Sequence, residues 1–221
     1  MASKKTAAGS KKTAIGGESP TNGAESAIVA GAPYEVEVQI EGSCDILLHR
    51  WNCEAVEAKA KAGKNSAIKK TDDLESYVYR NADGDLCLPG EYLRQSVIEA
   101  VRYRQDPRSP RKSARDLYKA GLVPLTDLAP FNGGGVDDWD YVDRRRVVVN
   151  RGGVTRERPA VRAGWTATFR IMVMTPDLIS PGDLNDTIAT AGRLVGTGDF
   201  RPTFGRYRVI GFRVIDGSER G

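Results

Sequence analysis

The chain's 221 residues predict an α+β fold, a modified ferredoxin-like antiparallel sheet with helices on one face and an inserted basic lobe. Three observations predict it. Tyr34, Val36, Val38 and Ile40 alternate with Glu35, Glu37 and Gln39, the period of two that marks a half-buried strand. The alternation returns at Trp165, Ala167, Phe169, Ile171 and Val173 against Thr166, Thr168, Arg170 and Met172. Two segments, 91–103 and 181–194, carry apolar residues at helical spacing, so helices interleave with strands in the order that layers them on one sheet face.

In chain order, residues 1–32 are Ala, Gly, Ser, Thr and Lys with almost no large apolar side chains, and bury too little surface to offset ordering entropy. A disordered basic tail is expected there, with Lys4-Lys5 and Lys11-Lys12 adding only salt-sensitive attraction to nucleic acid. A single domain is expected over 33–216, followed by a disordered C-terminus at 217–221. After the first strand, 54–60 holds strong helix formers, and 63–73 reads as a basic loop. Asp83-Gly84 between Tyr77–Arg80 and Leu86–Leu88 signals a hairpin, and Pro89-Gly90 stops its second strand. Leu93, Val97, Ala100 and Val101 then form one helical face. Residues 105–160 read as an irregular inserted lobe with prolines throughout and a hairpin at Arg145–Val149 and Val154–Arg158. Ser180-Pro181-Gly182-Asp183 is a helix start, with a capping serine, proline at the first position and an acid in the first turn. Arg206–Ile215 closes the fold as a strand.

Net charge is +4 with a pI near 9.0, a lean toward polyanionic partners that matters more in its distribution than in its sum. Arg102, Arg104, Arg108, Arg111, Lys112, Arg115 and Lys119 form one basic stretch; Arg144, Arg145, Arg146, Arg151, Arg156, Arg158 and Arg162 form another. Arginine outnumbers lysine in both, which suits phosphate because the planar guanidinium donates paired hydrogen bonds. The competing reading is a solvated surface answering the acidic run Asp137, Asp138, Asp140 and Asp143. Tyr103, Tyr118, Trp139, Tyr141, Phe200, Phe204 and Tyr207 are interleaved with these cations, and unpaired bases stack on such rings. Most rings of any domain are core; Phe200 and Phe204, beside Arg201 in a loop, are the exceptions expected here.

The segment from Gly192 to Arg206 is the expected functional centre. It lacks the Lys-Ser/Thr ending of a phosphate-binding P-loop and follows a helix, which excludes a nucleotide site of that type. Gly196, Gly198 and Gly205 leave the backbone open to close approach, by phosphate or within a tight turn, while Arg193, Arg201 and Arg206 supply charge.

Leu88-Pro89-Gly90-Glu91-Tyr92-Leu93-Arg94 opening a helix, paired with a late glycine-rich loop ending Phe204-Gly205-Arg206, resembles the RAMP superfamily, the RNA-recognition-motif-like subunits of CRISPR effector complexes. The resemblance covers about residues 34 to 215 and is to the backbone-type members, in which a proline-glycine turn starts a helix facing bound RNA. Glu91, Tyr92 and Arg94 stand where that family has small polar residues and lysine. Leu47-Leu48-His49-Arg50 also resembles a segment of phage-encoded proteins. The resemblance implies binding to single-stranded RNA, head-to-tail self-association or other subunits of a nucleoprotein complex, and no catalysis of its own.

The expected partner is thus single-stranded RNA or DNA, contacted by Arg94, Arg108, Arg111, Lys112, Arg144, Arg145, Arg146, Arg193, Gly196, Gly198, Phe200, Arg201, Phe204 and Arg206. Two alternatives stand beside it, a RAMP-type endoribonuclease and a phage structural or interaction protein. For the first, His49 is the one histidine and Asp45 a further candidate, since RNA-cutting relatives use histidine or an aspartate near this region. Cys44, His49, Cys53 and Cys87 match no common zinc spacing, so neither metal nor cofactor is expected. Three unpaired cysteines fit a reducing cytoplasm, and no apolar run is long enough for a bilayer, so no membrane partner is expected.

Overall fold

The alternation at 34–40 becomes a central strand whose two faces have opposite fates. Val36, Val38 and Ile40 are fully buried. Glu35, Glu37 and Glu41 turn to the other face and pair across the sheet with Arg170, Arg213 (3.0 Å) and Arg208 (2.9 Å), respectively. Cross-strand pairs of opposite charge stabilise a sheet modestly, and here they keep this face polar.

The computed structural model describes residues 31–51, 73–149 and 152–215, together with Cys53, Glu57, Lys61 and Gly63. Most of the expected tail, helix 54–60, the basic loop 63–73 and the C-terminal residues 217–221 lie outside the described residues. The strands are β1 (Tyr34–Gly42), β2 (Ile46–Leu47), β3 (Tyr79–Arg80), β4 (Leu86–Pro89), β5 (Gln105–Asp106), β6 (Ser109–Ser113), β7 (Leu122–Pro124), β8 (Leu128–Pro130), β9 (Tyr141–Val149), β10 (Gly152–Val161), β11 (Thr166–Val173) and β12 (Tyr207–Ile215). The helices are α1 (Gly90–Ala100), α2 (Arg115–Gly121) and α3 (Pro181–Leu194).

The main sheet has the order β12-β1-β11-β7, with every neighbouring pair antiparallel. With α1 between β1 and β7, and α3 between β11 and β12, this is the β-α-β-β-α-β arrangement of a ferredoxin-like fold. Leu93 and Val97 of α1 and Leu184, Ile188 and Ala191 of α3 share one core with Val36, Val38, Ile40, Phe169 and Ile171, so the helices cover the apolar face of the sheet. Two buried hydroxyl pairings tie this layer together: Ser96 Oγ lies 3.2 Å from Tyr207 Oη, and Tyr34 Oη donates to Ile179 O at 2.8 Å. Smaller sheets β2-β10-β9, β3-β4-β8 and β5-β6 complete the fold.

The caps follow the sequence. Ser180 Oγ accepts the Asp183 N–H at 3.1 Å and Pro181 takes the first helical position of α3. Other boundaries differ. Glu75–Tyr77 is a 3-10 turn, so only Tyr79–Arg80 pairs in the first hairpin strand. The helix from Gly90 ends at Ala100, and Val101–Tyr103 continues as a 3-10 turn. Just beyond it Arg104 is drawn off to α3, donating to Asp183 O at 2.9 Å and Thr187 Oγ1 at 2.6 Å. The stretch 105–160 carries α2 and six strands, one of which, β7, joins the main sheet through β11. Strands of two or three residues are too short to show a period, and partners far along the chain decide them.

Candidate nucleic-acid interface

The glycine-rich segment leaves the C-terminal end of α3 and closes against β2. Asp199 N–H donates to Leu47 O at 2.9 Å, Thr197 N–H to Gly205 O at 2.8 Å, and Gly205 N–H to Asp45 O at 2.8 Å. Gly205 has φ +71°, and a Cβ there would stand 1.7 Å from Thr197 O; at Gly198, φ +75°, it would stand 2.7 Å from Leu47 O. These two glycines let the loop pack on itself and on β2. The Gly196 amide is likewise spent inside the protein, donating to Ala191 O at 2.9 Å. The amides of Gly196, Thr197, Asp199 and Gly205 are thus all spent within the protein.

Phe200 is the loop's exposed aromatic side chain. It is 39% accessible and has φ +56°, a left-handed conformation that a bulky residue adopts at a cost of roughly 1–3 kcal/mol. Asp199 Oδ1 accepts its N–H at 2.8 Å and helps hold it there. Phe204 meets Phe200 edge to face, with ring centres 6.3 Å apart. Two arginines from the β9–β10 hairpin cover these rings: Arg145 lies 4.5 Å from the centre of Phe204 and 4.9 Å from that of Phe200, and Arg158 lies 5.7 Å from Phe200. Asp143 stands opposite Arg158, and Arg145 opposite Arg156, in the ladder, so all four belong to one face of the hairpin. Carboxylates fix both covering guanidinium groups. Arg145 Nε donates to Asp143 Oδ2 at 2.6 Å, and the buried Arg158 pairs with Asp199 of the loop.

Phe200 also lines a groove of about 480 Å³. Leu194 and Arg201 line it with Phe200, as do Glu99, Arg102 and Tyr103 from the end of α1 and the turn after it. Tyr103 is 75% exposed, with the Arg102 guanidinium 5.6 Å from its ring centre. Glu99 pairs with Arg102 at 3.5 Å and with Arg115. Immediately after Tyr103 comes the β5–β6 hairpin, with Arg108, Arg111 and Lys112 exposed. A strip therefore leads from the β9–β10 hairpin, through the aromatic pair and the groove, to the start of the β5–β6 hairpin.

The other expected residues are placed as follows. Arg144 and Arg146 are exposed on β9, Arg144 with Glu157 at 3.2 Å. Arg108 forks onto Asp106, through Nε at 2.9 Å and Nη2 at 2.7 Å, and the pairing holds the Asp106 carboxyl down at about 2. Arg206 Nε donates to Pro202 O at 2.9 Å within the loop. Arg193 lines a separate groove against β12. Arg94 is committed to the fold, donating to Leu122 O (2.9 Å), Lys119 O (2.5 Å) and Glu91 Oε1 (2.8 Å). The sequence reading leaves Tyr103 out of the site, although the apolar face of Leu93, Val97, Ala100 and Val101 already excludes it from the core.

Asp45 has both carboxylate oxygens occupied. Tyr141 Oη donates to Oδ2 at 2.7 Å and Ala163 N–H to Oδ1 at 2.9 Å. The Tyr141 phenol is pushed up to about 12, first by burial and then by its bond to Asp45 and the charges of Asp45 and Asp143. His49 packs its ring on Tyr77, with centres 4.5 Å apart. Cys87 is buried and donates to Asp85 O at 3.4 Å, and the described residues hold no group of three or more His, Cys, Asp or Glu placed to bind a metal ion. Among the described residues no helix is long and apolar enough to cross a membrane.

No protein-family model matches the chain, and no curated protein matches it in sequence. Among solved structures it is similar to a chain of the Type III-B Cmr-beta complex bound to cognate target RNA, at 13% identity and a TM-score of 0.47, over 83% of this chain and 61% of that one. It is similar to Cmr6 from Pyrococcus furiosus, at 10% identity and a TM-score of 0.41, over 82% and 99% of the two chains. It is also similar to Csc2 from Thermofilum pendens, at 12% identity and a TM-score of 0.35, over 83% and 67%. The chain thus spans about three-fifths of the Cmr-beta chain's length.

Proposed function

We propose that this chain binds single-stranded nucleic acid, RNA in the first place, along the strip that joins the β9–β10 hairpin, the glycine-rich loop and the groove beside Tyr103. The observation that carries the reading is the loop pair of exposed Phe200 and half-buried Phe204, with Arg145 and Arg158 beside the rings. Aromatic faces for bases beside arginines for phosphates are the two parts that sequence-tolerant single-strand binding requires. A duplex, whose bases are already stacked and paired, has no use for the rings. RNA is put first because the Pro89-Gly90 helix start and the Phe204-Gly205-Arg206 loop resemble RAMP subunits. Self-association along the strand, or membership of a larger nucleoprotein complex in the cytoplasm, extends the same resemblance.

The reading is one of binding without cleavage. Asp45 has each carboxylate oxygen engaged, one by Tyr141 Oη and one by the Ala163 amide, so it is used to hold that corner of the fold.

Arg201→Ala combined with Arg206→Ala tests the proposal. Anisotropy titrations with labelled single-stranded RNA and DNA are expected to show binding by the parent chain and at least tenfold weaker binding by the double variant. Unchanged affinity for both strands would overturn it.

A further inference from the structure

We propose that the groove between Tyr103 and Phe200 is a base-stacking subsite that takes one unpaired nucleobase, with the neighbouring arginines on its flanking phosphates. The proposal rests on the nucleic-acid reading above and says where along the strip a base, as distinct from the backbone, is held.

Four features point to this occupant. First, the lining keeps aromatic surface open to water even with arginines beside the rings: Tyr103 is 75% exposed and Phe200 39%, with Leu194 at 54% in the same lining. An aromatic ring buries about 150–250 Å² when covered, so two rings and a leucine left in water around one groove favour a flat apolar occupant. Second, Phe200 is held in place before anything binds. Its left-handed backbone is held by Asp199, itself bridged to Leu47, and its ring is braced by Arg145 and Arg158. Pre-organised walls lower the ordering cost of binding.

Third, the charge has the right sign. Both carboxylates of the lining are already paired, Glu99 with Arg102 and Arg115, and Asp199 with Arg158. Arg201 has no carboxylate partner among the described residues, so the rim remains cationic. A base enters with a phosphate on either side, which meets that charge; an apolar peptide side chain brings nothing for it. Fourth, about 480 Å³ falls within the roughly 300–1,000 Å³ of small-molecule sites, enough for a nucleotide and too little for a paired duplex step.

The test compares the full chain with Tyr103→Ala and Tyr103→Phe on a labelled single-stranded RNA, and the parent chain on the same oligonucleotide with scattered abasic positions. Because Tyr103 is exposed, neither substitution removes core packing. Stacking contributes about 1–3 kcal/mol per base, so Tyr103→Ala is expected to weaken binding about 5- to 150-fold and Tyr103→Phe to restore it. Abasic substitution should weaken the parent chain by a larger factor than it weakens Tyr103→Ala, which keeps only Phe200 and Phe204 to stack on. A 2-aminopurine probe in the strand should change fluorescence with the parent chain and with Tyr103→Phe, but not with Tyr103→Ala. If the parent binds while Tyr103→Ala and abasic strands bind equally well, the subsite is overturned and the binding function stands. If the parent binds no strand, both fall.

Discussion

Arg145 reaches from β9 to set its guanidinium 4.5 Å from the centre of the Phe204 ring, while its Nε donates to Asp143 Oδ2 at 2.6 Å. One side chain thus ties the basic hairpin to the glycine-rich loop through a cation–π contact whose charge is held in orientation by a carboxylate two residues away. The two parts of the strip that would meet bases and phosphates are therefore mechanically joined, and a change at Arg145 is felt on both.

Arg145→Ala should cost about 0.5–2 kcal/mol of stability, the range of a partly exposed cation–π contact, and also weaken single-strand binding. Arg145→Lys keeps the charge but loses the planar stacking, so it should recover the salt dependence of binding more fully than the affinity. Urea denaturation followed by circular dichroism, with anisotropy at two salt concentrations, separates the effects. Equal affinity for the parent chain and the alanine variant would remove Arg145 from the interface.

Asp199 answers the buried Arg158, whose side chain is only 8% exposed. Removing one partner of such a pair leaves an uncompensated charge out of water. Asp199→Ala is therefore expected to destabilise by about 3 kcal/mol, the low end for buried pairs, because Asp199 itself is partly solvated. The double change Asp199→Ala with Arg158→Leu should recover part of the loss, as measured by urea midpoint. A double variant less stable than the single would show that the guanidinium serves packing more than pairing.

The strands at 34–42 and 166–173 and the cap of α3 were legible in the sequence because their signals are local: a period of two, and a serine three residues before the amide that donates to it. β2, β7 and β8 were not, since two or three residues carry no period and their existence is decided by partners as distant as Ala160 and Ile171. The same limit applies to the site. The sequence marks the glycine-rich loop and its rings, but nothing in it says that Arg145 and Arg158 lie over them, 59 and 42 residues before Phe204 and Phe200 (204 − 145, 200 − 158). Arg94 reads as a free cation until its acceptors at Lys119 and Leu122 are seen. Charge is visible along a chain; the partner that spends it belongs to the fold.

Gly205→Ala places a methyl 1.7 Å from Thr197 O at a φ of +71°. Backbone cannot yield as a flexible side chain does, so the loop must open, breaking the Gly205–Asp45 and Thr197–Gly205 hydrogen bonds. Amide hydrogen exchange should show lost protection at Thr197 and Gly205, while the β1–β11 ladder stays protected and single-strand binding falls. Preserved protection at those two amides would mean that the loop absorbs the methyl by moving as a unit.

Tyr141 supplies a pH-dependent prediction. Burial, the hydrogen bond to Asp45 and the charges of Asp45 and Asp143 raise its phenol to about 12, against the pull of Arg162. An unfolded tyrosine titrates near 10, so above that pH the unfolded chain releases this proton while the folded chain still holds it. The stability contributed by Tyr141 is therefore complete below about pH 10 and lost as pH rises through about 12. Tyr34, Tyr92, Tyr118 and Tyr207 are also raised, chiefly by burial, so the chain as a whole weakens in alkali and the informative quantity is a difference. Tyr141→Phe should be less stable than the parent at pH 9, through loss of the bond to Asp45, and the gap should narrow by pH 11. The effect is modest because the ring is only half-buried. Urea unfolding of both proteins at the two pH values measures it, and a gap that stays constant would show that the Tyr141–Asp45 bond does not govern the titration.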